Sequence, residues 1–382
     1  METEAKSVFR YDSVLNEEDL CNYTAEKKSL THDLAAGKRL VLFGRRNTGK
    51  TSIIKSCVIP QLRKKGHFVL FADFYGVQTL EQVKTRLNLA LQSSLLETYP
   101  IRSRLDQALN LLTLLRPVLH TDPTEGLSLT LHLDSQPLPA LHQFFKAISS
   151  LKKKSNCTLI FDEFQDIHHI SECEALFRDA LQNLPAEIGV MILGSKKHLL
   201  GEIFARPHAP LAGFGEDRIL PLIPYHEYTE YIQKRFLPQG LSIEPKNSEY
   251  LQNFLQRIPE SINIVCEQIR TQFSHSNKKE PKNVTLEMIH TALKTAVDVR
   301  RSRFEEYLSH YTDTEQKVMT ALANEGPVES PSGKDFVAAT GASQKGVSKI
   351  IKKLENEAVV YHIDGSYILA DPLMAAYLRK NR

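Results

Sequence analysis

The stretch Gly44-Arg45-Arg46-Asn47-Thr48-Gly49-Lys50-Thr51 limits the folds open to this chain more than any other. In front of it lies the apolar run Leu40-Val41-Leu42-Phe43, which reads as a buried strand. Behind it, Ser52-Ile53-Ile54-Lys55 opens a helix. A strand, a glycine-bounded loop and a helix N-terminus together make a cradle for phosphate, because loop N–H groups and the positive end of the helix dipole face the anion. Lys50 is placed to reach the outer phosphates, and the Thr51 hydroxyl to hold Mg²⁺. The expected nucleotide-binding set is therefore Gly44, Arg45, Arg46, Asn47, Thr48, Gly49, Lys50, Thr51 and Ser52. Glycines are needed there because bulkier residues would block the backbone's approach to the phosphates.

Beyond the loop, strands and helices alternate. The helix runs to about Ile59 and ends at Pro60; a strand His67–Asp73 and a helix at about Thr79–Leu95 follow. Such alternation predicts a parallel sheet with helices on its faces. Residues 100–140 are less regular, and two strands flanking Asp122-Pro123-Thr124-Glu125-Gly126 read as a hairpin inserted at about 116–134.

After a helix at about Leu138–Lys153 comes the second informative stretch, Thr158-Leu159-Ile160-Phe161-Asp162-Glu163-Phe164-Gln165-Asp166. An apolar strand that ends in Asp-Glu puts both carboxylates at the carboxyl end of a parallel sheet, where ligands of such sheets bind. Asp162 is expected in a Mg²⁺ shell, and Glu163 is placed to orient or deprotonate a water attacking a γ-phosphate. The run Gly189–Gly194 ends in Ser195, which either touches that phosphate or simply closes a turn. Arg218–Leu222 reads as the last strand. Arg206 and Arg218 are candidates to act on a neighbouring subunit's nucleotide, or ordinary surface groups.

With 382 residues, 42% of them hydrophobic, the chain can bury a large core in two or three domains. A formal charge of +3 leaves any nucleic-acid contact to a local patch. The five cysteines are odd in number and never form C-x-x-C, so they read as reduced thiols rather than a disulfide frame or a zinc site. The opening residues lack a signal-peptide pattern, and no run approaches the ~20 apolar residues of a membrane span, so a cytoplasmic protein without membrane contact is expected.

From Tyr225 to about Val299 the pattern is helical throughout, fitting a small domain that closes over a nucleotide. The loop Ser274–Pro281 contains Asn277-Lys278-Lys279-Glu280, which lacks the Asp and the preceding strand of a guanine-reading motif. In the tail, helices at about Asp313–Ala323, Ser332–Ala339 and Ser343–Asn356 precede a hairpin whose turn is Asp364-Gly365-Ser366. Val347, Ile350, Ile351 and Leu354 form one apolar stripe of the third helix, and Lys345, Lys349, Lys352 and Lys353 form a basic face opposite it. Three helices and a hairpin outline a winged helix-turn-helix, which binds duplex DNA through its third helix or docks a protein.

These residues taken together resemble the archaeal-type AAA+ ATPases, in the STAND/MNS group of P-loop proteins. The resemblance rests on the loop at 44–51, the Phe161-Asp162-Glu163-Phe164-Gln165 block, the Gly194-Ser195 strand end, Ala209-Pro210-Leu211-Ala212-Gly213 and the terminal winged helix. It implies a sheet ordered 5-1-4-3-2, ATP with Mg²⁺ as the nucleotide, and a switch or oligomerising ATPase with a DNA-binding tail. On this likeness Lys50 and Thr51 take the phosphate and magnesium roles, Asp162 the magnesium role, Glu163 that of the base and Ser195 that of the sensor. Three places depart from the family pattern. Phe214 stands where an arginine is usual, only Pro259 of a Gly-Gly-x-Pro remains, and the Asn-Arg-Glu before the first strand is degraded around Thr24-Ala25-Glu26. The expected layout is a P-loop α/β domain over 1–223, a helical lid over 224–300 and a winged helix over 301–382. The expected partners are ATP, duplex DNA or a protein, and further copies of the chain.

Overall fold

The computed structural model describes residues 7–99, 102–110, 112–122, 126–151, 156–195, 197–204, 206–274 and 280–380. The hairpin turn at 123–125, the end of the expected helix at 152–153 and the loop at 275–279 lie outside the described residues. The chain groups into two compact units. One holds Thr24–Gly44 and Ile53–Leu220; the other holds the leading segment up to Tyr23, Arg45–Ser52 and everything from Pro221 onward.

The first unit is built on a sheet of β1 (Arg39–Phe43), β2 (Phe68–Asp73), β5 (Cys157–Asp162), β6 (Gly189–Gly194) and β7 (Glu216–Ile219), with β3 (Val118–Asp122) and β4 (Gly126–Thr130) forming a separate antiparallel hairpin. The sheet order is β2-β5-β6-β1-β7, every pairing parallel. Counted within the sheet this is the 5-1-4-3-2 order implied by the family likeness. Every residue of β5 and β6 is buried, as continuous apolar strands covered on both faces should be. Phe74, Phe144, Phe145, Phe161, Phe164 and Phe177 pack as an aromatic core against them, with ring centroids such as Phe164–Phe177 5.1 Å apart. Side chains beyond Asp162 are thus anchored by Phe161 and Phe164 on either side.

Two local expectations need correction. The helix after the phosphate loop does not end at Pro60: it passes through a π turn, Ile54–Val58, into Ile59–Lys64. Pro60 sits in the first turn of that last segment, directly after the π turn, whose wider winding carries the helix past it. The last strand is Glu216–Ile219 rather than Arg218–Leu222.

The second unit is helical. Tyr225–Phe236, Pro245–Phe254, Pro259–Phe273 and Leu286–Val299 form its first part, and the leading segment packs on it through Phe9, whose ring lies 5.1 Å from Phe236. The second part is Arg301–Ser309, Asp313–Glu325, Lys334–Thr340, Gln344–Asn356, a hairpin of Val360–Ile363 with Ser366–Leu369, and Pro372–Lys380. Thr312 and Glu315 close a capping box at Asp313–Glu325, and Ser343 caps Gln344–Asn356 through the Gly346 N–H. No helix among the described residues is long and apolar enough to cross a membrane. All five cysteines are buried and none is in a disulfide.

Candidate nucleotide site

Residues Arg45–Ser52 of the phosphate loop group with the helical unit, and Gly44 with the sheet unit. Gly44 follows the last residue of β1, and Lys50 is the first residue of the helix Lys50–Ile53, so the strand–loop–helix order is present. Asn47 and Gly49 take left-handed backbone angles, with φ of +62° and +84°. Asparagine and glycine are the residues that adopt this region at least cost. A Cβ built on Gly49 would meet no atom within 4 Å, so the glycine serves its backbone angle and leaves open space, which suits an incoming phosphate. Lys50 is buried, and its Nζ donates to the Arg45 carbonyl at 2.7 Å; the Thr48 hydroxyl donates to the same oxygen at 2.8 Å. Ser52 Oγ accepts from the Leu15 N–H at 3.1 Å, fixing the leading segment to the helix start.

Arg45 is held differently. Its guanidinium donates to the Gln256 side-chain oxygen at 2.5 Å and lies over the Tyr361 ring, 5.3 Å from its centroid. The Arg46 N–H donates to the Tyr361 hydroxyl at 3.0 Å. Neither Gln256 nor Tyr361 stands out in the sequence as part of this site.

The acidic pair belongs to the sheet unit. Asp162 closes β5, is 2% exposed, and its Oδ1 accepts from the Glu163 N–H at 3.0 Å. Glu163 has φ +48°, a strained angle for this residue, and it turns the chain from the strand into the short helix Phe164–Ile167. The Glu163 carboxylate is held by two neutral donors: Ser195 Oγ at 3.0 Å, and the side-chain amide of Gln165. Ser195 follows β6 and is 2% exposed, and Gln165 is equally enclosed. The structure brings Ser195 and Gln165 onto the Glu163 carboxylate, a contact that the sequence reading did not include. The last residue of β1, Phe43, is in register with Gly194, so β1 and β6 end together at the edge where β5 also ends.

The remaining candidates are placed as follows. Arg206 is exposed in a loop. Arg218 lies on β7 with its guanidinium 2.8 Å from Asp33 and 3.0 Å from Glu216. Burial acts to raise the Asp33 pKa, but Lys38 and Arg218 outweigh it and hold the carboxyl below its ordinary value. On the helix Gln344–Asn356, Val347, Ile351 and Leu354 are buried and Lys345, Lys349, Lys352 and Lys353 are exposed. Lys353 Nζ is 2.8 Å from Glu315 Oε1 and caps the Tyr311 ring, while the other three lysines make no ion pair with a described residue.

Asp162 suits magnesium, which takes one or two carboxylates and completes its shell with substrate oxygens and water. Among the described residues there is no group of three or more His, Cys, Asp or Glu side chains arranged to hold a metal by themselves.

A family model described as a probable winged helix domain matches residues 302–380. The Walker-type ATPase PABY2304 of Pyrococcus abyssi is 17% identical, with a TM-score of 0.66, over 97% of this chain and 99% of that one. The ORC2 protein of Aeropyrum pernix, solved as ADPNP–ADP complexes, is 12% identical with a TM-score of 0.57, over 99% and 96% of the two chains. The ORC1 protein of the same organism, solved in complex with DNA, is 14% identical with a TM-score of 0.50, over 98% and 96%. Curated protein sequences give no significant match.

Proposed function

We propose that this chain, which has the fold of a P-loop AAA+ ATPase with a C-terminal winged helix, binds and slowly hydrolyses ATP and uses the nucleotide to switch its winged helix. The observation that carries this reading is the formed phosphate loop, with Gly49 open to an approaching anion, in a chain whose β5 ends in a buried Asp162 followed by a held, unneutralised Glu163. Lys50 and loop N–H groups between Asn47 and Ser52 bind the phosphates of ATP, with Gly44, Arg45 and Arg46 leading into them. Thr51 and Asp162 would hold Mg²⁺, which supplies charge neutralisation at the phosphate oxygens.

In hydrolysis, Glu163 orients a water for in-line attack and accepts its proton, its carboxylate being aimed by the Ser195 hydroxyl and the Gln165 amide. Lys50 stabilises charge on the transferring phosphoryl group. The subtype is that of the STAND ATPases, with a sheet domain over 1–223, a lid over 224–300 and a winged helix over 301–382. Five cysteines outside any disulfide suit a reducing cytoplasm.

Duplex DNA is the proposed ligand of the winged helix, through Lys345, Lys349 and Lys352, with Lys353 reaching DNA only by leaving Glu315. Further copies of the chain are the proposed assembly, with Arg206 exposed for a neighbour's nucleotide and Arg218 available only if it leaves Asp33. One observation favours a rival reading in which the winged helix docks protein: its hairpin residue Tyr361 is already engaged at the phosphate loop.

An ATPase assay with and without duplex DNA separates the two. The DNA reading expects stimulation that disappears when Lys345, Lys349 and Lys352 become Glu, with the salt dependence of DNA retention falling by about one unit of slope per lost contact. Turnover unaffected by DNA, with no salt-dependent retention, would favour the protein-docking reading.

A further inference from the structure

The turn between the helices Pro245–Phe254 and Pro259–Phe273 contains two consecutive left-handed residues that are not glycine, Gln256 at φ +51° and Arg257 at φ +56°. Such angles are costly for residues that carry a side chain, so a turn built on them points to a use for those side chains. Arg257 binds the Leu222 and Ile223 carbonyls and stacks on Tyr225. Gln256 is a bridge. Its Oε1 accepts from Arg45 at 2.5 Å, its carbonyl accepts from the same guanidinium at 3.4 Å, and its Nε2 donates to the Leu369 carbonyl at 3.1 Å.

Leu369 lies on one strand of the winged-helix hairpin and Tyr361 on the other, in adjacent positions of the ladder with Ile368 facing Tyr361. Tyr361 supports Arg45 from below with its ring and takes the Arg46 N–H with its hydroxyl. Arg45 makes no ion pair with any described residue, and its Nε is buried without a partner. Burial pushes the guanidinium below its usual pKa. A desolvated cation held only by neutral groups is an expensive way to fasten a surface loop, and an effective way to fix one that will meet an anion.

We propose that Gln256 and Tyr361 are positioning residues for the phosphate loop, so that the lid turn and the winged-helix hairpin together set the affinity for ATP. This rests on the reading of the loop as an ATP site. Pinning Arg45 and Arg46 fixes the two residues that lead into Asn47 and Gly49, whose left-handed angles give the loop its cradle shape. Order paid before the ligand arrives does not weaken binding, whereas a loose loop must be ordered at the expense of affinity. By linkage, a partner that draws the hairpin away from the loop lowers nucleotide affinity, and nucleotide in turn opposes that partner.

The test uses the full chain and MgATP titrations beside steady-state turnover. Tyr361→Phe, which keeps the ring and loses the hydroxyl, is expected to raise Kd about fivefold, as one lost hydrogen bond would. Tyr361→Ala should raise it more than tenfold. Gln256→Gly relieves the backbone angle, so its thermal midpoint should hold or rise while Kd still climbs several-fold. In all three, kcat at saturating ATP should stay within twofold, because Glu163 and its partners are untouched. A Kd within twofold of wild type in all three variants, or losses of kcat and thermal midpoint in step, would overturn the proposal. If wild-type protein itself bound no MgATP, the ATP reading would fall first. Amide exchange at Arg46 in the nucleotide-free protein would then judge the clasp alone: faster exchange in Tyr361→Phe supports the positioning, and an unchanged rate refutes it.

Discussion

Glu163 and Arg45 are both charged groups held by neutral partners, one in each unit. The Glu163 carboxylate takes hydrogen bonds from the Gln165 amide and the Ser195 hydroxyl; the Arg45 guanidinium gives them to Gln256 and rests on Tyr361. By contrast, Asp33 is met by Lys38 and Arg218, and Glu315 by Lys353, so opposite charges do pair elsewhere in the chain. Holding a charge without neutralising it leaves it available to a ligand. The difference between the two lies in reach. Glu163's partners are 2 and 32 positions away, on its own segment and the neighbouring strand, whereas Arg45 and Arg46 draw theirs from 211 and 315 positions away. On the proposed reading, the acid side is held within the sheet unit alone, while the loop side is held by contacts within the helical unit.

That contrast can be broken from either end. The largest effect is expected from Lys50→Ala, which removes the cation proposed to meet the phosphates: MgATP affinity should fall about 100-fold, the worth of a strong charged hydrogen bond. Calorimetric titration reads it directly, and near-normal binding would remove the phosphate role from this loop. A smaller effect should follow from Gly194→Ala on the acid side. The new methyl would overlap the Gln165 side-chain oxygen and lie 2.5 Å from a Leu200 methyl carbon, and a shift of Gln165 disturbs the amide that it gives to Glu163. Turnover should drop about tenfold with Kd unchanged, the reverse of the pattern expected for Gln256 and Tyr361. If Gly194→Ala changed Kd and spared kcat, the division of labour between the two units would be wrong.

Much of this arrangement is legible in the sequence because its causes are local. The loop motif, the Asp-Glu strand end and the strand–helix alternation each occupy a handful of consecutive residues, and the sheet order follows from the resemblance they support. Pro60 misleads because the π turn directly before it, with its wider winding, carries the helix past the proline. Gln256 and Arg257 give no turn signal, since neither residue type favours left-handed backbone; only their φ angles disclose the bend. Tyr361 reads as one more aromatic on a strand, and its hydroxyl gains meaning only from its distance to Arg46. Lys353 belongs by spacing to the basic face, yet its charge is already taken by Glu315, on a helix that periodicity alone does not bring near.

The account stands on Glu163 being the group that turns bound ATP into ADP and phosphate. The most direct test is to measure MgATP affinity and turnover side by side for the wild-type protein and Glu163→Gln, an exchange that keeps size and hydrogen bonding and removes the negative charge. Affinity within about twofold of wild type together with a loss of turnover of about 100-fold or more is the predicted result. Equal turnover in the two proteins would contradict it.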